Sequence, residues 1–91
     1  MIYIAGRIRG VDDYQRIFSD AAEDLRERGF SVFNPAAANQ EGRSLSAIMA
    51  YLLPQLCECD AIALLPGWWR SGGARIEWLL ARYLGLRRIY L

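Results

Sequence analysis

Apolar residues in this chain fall into short continuous runs separated by stretches of helical period, and that alternation predicts its elements. Met1 to Ala5 is a brief apolar run ended by Gly6, a first strand that leads into the loop Gly6-Arg7-Ile8-Arg9-Gly10. Tyr14, Ile17, Phe18, Ala21, Ala22 and Leu25 then recur at helical spacing, with Asp12 or Asp13 as the cap and Gly29 as the stop. The opposite side of that helix carries Arg16, Asp20, Glu23, Asp24, Glu27 and Arg28, a solvated outer surface. Phe30 to Phe33 predicts a second strand, broken by Asn34-Pro35, and a loop through Asn39, Gln40, Glu41 and Gly42 reaches Ser44, the cap of a second helix. Leu45, Ile48, Met49, Leu52 and Leu56 share one side of that helix and place it on the sheet. Pro54 lacks the N–H for the i−4 bond and collides with that carbonyl, which predicts a kink or a restart near Leu53. Asp60 opens a third strand, Ala61 to Leu65, that stops at Pro66-Gly67. Ser71 caps a third helix ended by Gly85, and Arg87 to Leu91 supplies a last strand.

The order β-α-β-α-β-α-β, with helices long enough to cross over, implies α/β architecture: about four mainly parallel strands with helices on both faces. Ligands of such folds bind outside the carboxyl ends of the strands, where the strand order reverses. The loops after Ala5, Phe33 and Leu65 share that edge. Gly6 to Asp13, Asn34-Pro35 and Gly67 to Glu77 are therefore expected to converge on one pocket.

Within that set Glu77 stands out. On a helical projection Gly73, Leu80, Ala81 and Leu84 all fall within about 60° of it, so an acid sits inside an apolar stripe. A carboxylate held against a core costs free energy unless it is paired, hydrogen-bonded or protonated, and such acids cluster at functional sites. The competing reading has Glu77 at the end of the stripe, bonded to loop backbone. Arg7 and Arg9, between two glycines, offer planar forks of donors suited to phosphate or carboxylate, or else are solvated loop charges. The G-x-G-x-x-G dinucleotide spacing is missing.

Composition narrows the chemistry. Eleven basic and ten acidic residues leave a net charge of +1, which argues against a broad surface for polymeric nucleic acid. There is no histidine, lysine or threonine, so serine-histidine and cysteine-histidine pairs, Schiff-base lysines and a P-loop lysine are excluded. Cys57 and Cys59 do not complete a metal set, and their spacing disfavours a disulfide; both are read as buried, reduced packing residues. No metal and no cofactor is expected. The N-terminus lacks a signal-peptide pattern and no apolar run reaches the roughly 18 residues of a membrane span, so a single domain over residues 1–91 in a reducing cytoplasm is expected. Trp78 and Leu79 project from the other side of the Glu77 helix beside Arg75 and Arg82, and a domain of this size has no further layer to cover them. They predict self-association. Trp68 and Trp69 either stack on a flat ligand or join that interface.

Four stretches together resemble the nucleoside 2-deoxyribosyltransferase superfamily, above all its short uncharacterised members and the deoxynucleoside 5′-monophosphate N-glycosidases. They are Tyr3 to Gly10, the turn Asn34-Pro35, the strand entry Cys59 to Ala63, and Ser71 to Glu77 with its Gly-x-x-x-Glu spacing. The resemblance spans nearly the whole chain. It implies a Rossmann-like or flavodoxin-like doubly wound domain, dimeric or larger, that cleaves or exchanges the N-glycosidic bond of a 2′-deoxynucleoside or its monophosphate. By that resemblance Glu77 is the nucleophile and Tyr3 positions it. Arg9 and Ser71 hold the 5′-phosphate, and Gly6 and Gly73 let the backbone approach the sugar. Arg7 stands where phosphate-specific members often have a loop serine. The family's second carboxylate aligns with Leu52, which can neither bind a hydroxyl nor move a proton. Two outcomes follow: Asp12 or Asp13 substitutes for the lost acid, or catalysis is reduced or absent and the cavity only binds a nucleotide-like ligand.

Overall fold

A computed structural model describes residues 1–37 and 42–91. Asn39, Gln40 and Glu41 of the expected loop lie outside the described residues. Among the described residues the strands are β1 (Ile2–Ala5), β2 (Val32–Phe33), β3 (Ala61–Leu64) and β4 (Arg87–Tyr90), and the helices are α1 (Tyr14–Glu27), α2 (Leu45–Cys57) and α3 (Gly72–Leu84). Short 3₁₀ turns cover Pro35–Ala37 and Trp68–Arg70. The strands form one parallel sheet in the order β2-β1-β3-β4. This is the doubly wound α/β architecture expected from the element order.

Every residue of β1 and β3 is buried, the mark of parallel strands covered on both faces. Alternation along them divides the core. Ile2, Ile4, Ala61 and Ala63 face α1 through Phe18, Ala22 and Leu25. Tyr3, Ala5, Ile62 and Leu64 face α2 and α3 through Leu52, Leu56, Ala74 and Ala81. With right-handed crossovers, α1 carries the chain from β1 outward to β2, while α2 and α3 carry it to β3 and β4 on the other face. The loops after β1 and β3 therefore part company at the centre of the sheet and leave a crevice at its carboxyl edge.

Several expectations change in detail. The second strand shrinks to Val32–Phe33, leaving Phe30 exposed. Asp13 occupies the α1 cap position without a side-chain cap bond, because its carboxylate is taken by Arg16 one turn on. Ser44 and Ser71 do cap α2 and α3, each accepting the N–H three residues ahead at 3.1 Å. The restart expected near Leu53 does not occur: α2 runs unbroken through Pro54. Both Pro54 and Ala50, whose carbonyl loses its donor, are exposed, so water can satisfy that oxygen. Cys57 is exposed rather than buried; Cys59 is buried and donates its thiol to the Gln55 carbonyl at 3.3 Å.

Trp78 is also better covered than its helical position suggests. It stacks on Trp68 at 5.6 Å between ring centroids, and its Nε1 donates to the Tyr90 hydroxyl at 3.1 Å. The Arg82 guanidinium lies 5.6 Å from the ring centroid, within cation–π reach. The turn after β3 thus folds back as the missing layer, and Leu79, 57% exposed, remains open. No described helix is long and apolar enough to cross a membrane.

Candidate active site

A cavity of about 340 Å³ opens at the carboxyl edge, at the small end of the range for small-molecule sites. The three expected loops do meet there: Gly6, Arg7 and Arg9 follow β1, Pro35 follows β2, and Ser71 and Gly73 follow β3, with Glu77 one turn into α3.

Glu77 is 6% exposed, the one buried charged residue among the described residues. Tyr3, wholly buried on β1, donates its hydroxyl to Glu77 Oε2, and its ring is fixed by stacking on Phe33 at 5.5 Å. The partner of the acid is thus a phenol from the central strand and not loop backbone. The other oxygen, Oε1, accepts no hydrogen bond from a described group. Since no buried side-chain oxygen among the described residues is left without a partner, Oε1 reaches accessible space, and Glu77 lines the cavity. Burial pushes the carboxyl up from its ordinary 4.5 to about 7, while the Tyr3 hydrogen bond pulls the other way. Tyr3 itself is held well above the usual phenol range, first by burial and then by the charge of Glu77. The phenol therefore stays a donor at any ordinary pH, and the acid is poised to be neutral or charged near neutrality.

The glycines serve different ends. At Gly6 a Cβ would fall 2.8 Å from the Leu65 side chain, so that residue lets two loops touch; at Gly73 the nearest atoms, in Met49 and Ser71, are 3.9 Å away. Gly73 and Gly72 form the first turn of α3, whose early N–H groups have no intrahelical partner and favour an anion.

Tyr3 lies behind Glu77 and does not line the cavity, and two further expected residues stand outside it. Asp13 is exposed and paired with Arg16, which also holds its carboxyl below the usual range. Gly67, at φ 82°, is the left-handed turn after β3 and lines a neighbouring recess. Asp12 is absent from the lining too, so among the described residues Glu77 is the cavity's only carboxylate. Leu52 does line it, which makes the wall apolar at that place.

The sequence pattern does not single out the other lining residues. Arg70 lines the cavity just ahead of the Ser71 cap, and the arginine preceding a helix N-terminus was the available signal. Period alone places Leu45, Ile48 and Met49 on the sheet, yet Leu45 is 58% exposed and all three border the cavity. Only the distal part of that stripe, Leu52 and Leu56, is fully buried. Among the described residues no group of three or more histidine, cysteine, aspartate or glutamate side chains is placed to hold a metal.

No curated protein and no solved structure matches the chain. The family described as Domain of unknown function (DUF4406) matches residues 1–90, and the chain belongs to it.

Proposed function

We propose that this family member is a nucleoside 2-deoxyribosyltransferase-like protein that cleaves or transfers the N-glycosidic bond of a 2′-deoxynucleoside or its 5′-monophosphate. The observation that carries the reading is Glu77: a buried carboxyl, bonded on one oxygen to Tyr3 and open to the cavity on the other. In its ionised form the open oxygen attacks the anomeric carbon, the bond to the base nitrogen breaks, and a glycosyl ester forms. Water or a second base then resolves that ester and returns the carboxylate. Arg9 and the first turn of α3 suit a 5′-phosphate, and Leu45, Ile48 and Met49 offer an apolar wall for a flat base. The reading includes a cytoplasmic homo-oligomer, joined through the outer side of α3.

Leu52 supports a second reading, in which the cavity binds a nucleotide without turning it over. Losing a general acid or base typically costs about 10²- to 10⁴-fold in rate. Incubating the protein with deoxynucleoside monophosphates, following free base by chromatography and using Glu77→Ala as control, separates the two. Base release above that control is expected, with a rate that rises with pH through about 7 as the nucleophile ionises. No release above the control removes the enzyme reading.

A further inference from the structure

Beside the cavity lies a second recess of about 170 Å³, several times the roughly 30 Å³ of one liquid water. Val11, Ile17, Leu65 and Pro66 make its walls apolar, and its charged groups are Arg7 and Arg70. The same two arginines line the larger cavity. They are the two residues that line both spaces, so a ligand that begins beside Glu77 and extends into the recess runs beside Arg7 and Arg70.

Both arginines spring from defined backbone. Arg7 folds back over Gly10, where φ is 78° and a Cβ would lie 3.2 Å from a guanidinium nitrogen. Arg70 ends the 3₁₀ turn whose Trp68 is packed between Trp78 and Tyr90, at 5.6 Å and 6.4 Å between centroids. Neither forms an ion pair among the described residues, and nor does Arg9. Three exposed arginines, unpaired among the described residues, and a helix N-terminus therefore line a cavity whose one described acid is Glu77. A phosphate monoester brings about −1.5 to −2 at pH 7. That matches Arg9 and the α3 terminus and leaves Arg7 and Arg70 without a counter-charge among the described residues.

We infer that the ligand is a nucleoside 5′-diphosphate, with its terminal phosphate held between Arg7 and Arg70 at the entrance to the second recess. This rests on the nucleotide reading above and names the substrate class within it. Arginine's planar fork suits two oxygens of such a phosphate at once, and two arginines lining both spaces favour a phosphate chain over a second phosphate elsewhere on the sugar.

Calorimetric titration of Glu77→Gln, which binds without turning substrate over, tests this with the deoxynucleoside, its 5′-monophosphate, its 5′-diphosphate and its 3′,5′-bisphosphate, for each of the four common bases at one ionic strength. The 5′-diphosphate is expected to bind at least ~10-fold more tightly than the 5′-monophosphate and the bisphosphate, for any base accepted. Arg7→Gln and Arg70→Gln should each bring that ratio towards one, with thermal melts confirming folded protein. Equal binding of mono- and diphosphate, or of diphosphate and bisphosphate, overturns the inference and leaves the nucleotide reading standing. No binding of any of the four overturns both.

Discussion

On α1 the acids and arginines face water and the apolar residues face the sheet, whereas α3 turns its one acid inward and shows Ile76, Leu79 and Tyr83 to the outside. The outer side of α1 is laced by i,i+4 pairs, Arg16 with Asp20 at 3.5 Å and Arg28 with Asp24 at 3.0 Å. Its neighbour across the sheet, α2, has no charged residue in thirteen and exposes Leu45 and Tyr51. One side of the sheet therefore follows the rule for a surface helix, and the other departs from it twice. Each departure costs stability in an isolated chain. The buried acid gains reactivity from its desolvation, and the apolar exterior gains a surface that a second copy can cover.

The largest test of that contrast is Glu77→Gln set against Glu23→Gln on α1. Glu77 has a folded pKa of about 7 against an ordinary 4.5, so the folded state holds its proton more tightly than the unfolded chain does. Its contribution is fully present below the unfolded value and is lost as pH rises through the folded one, a loss on the order of 3 kcal/mol. Glutamine keeps an acceptor for Tyr3 and has nothing to ionise. Urea unfolding at pH 5 and pH 8 should show the wild type falling by about that amount relative to Glu77→Gln, while Glu23→Gln stays within about 0.5 kcal/mol at both. Parallel profiles for wild type and Glu77→Gln would mean the carboxylate is hydrated.

Next in size is the exterior. Leu79 is 57% and Tyr83 87% exposed, one turn apart on α3. If a second copy covers them, Leu79→Arg should weaken self-association at least ~10-fold, about 1.4 kcal/mol, when read by sedimentation velocity over a dilution series. Asp20→Arg on α1 should leave the same series unchanged. A wild type that sediments as a monomer at micromolar concentration ends the oligomer proposal.

Much of this contrast could be read in the chain. Period placed α1 with its charged side out, caps marked the starts of α2 and α3, and Glu77 declared itself as an acid within an apolar stripe. What period could not distinguish was a stripe that packs from a stripe that lines a cavity, since both are apolar for the same spacing reason. Period places Leu45, Ile48 and Met49 on the sheet for that reason. Asp13 joined the candidates by its position in the loop, but a local partner three residues away claimed its carboxylate. Helical geometry leaves Trp78 open because it says nothing of a loop, here Trp68, that returns from elsewhere to cover it.

The smallest effect concerns two glycines beside the same cavity, one on each side of the comparison. Gly6 is closed in by Leu65, which belongs to the core under α1, so its missing Cβ is filled by protein. Gly73 looks towards Met49 of α2 across 3.9 Å, and its backbone is helical, so alanine fits there without strain. Alanine in a helix also loses less backbone freedom on folding than glycine. Gly73→Ala should therefore leave the melting temperature unchanged or raise stability by up to about 1 kcal/mol. The added methyl faces the cavity, so nucleotide affinity should fall several-fold in the same protein. Stability that rises while affinity falls would assign this glycine to ligand access and the other to packing. A loss of both together would place Gly73 in the core, and the open side of the sheet would then end at Glu77.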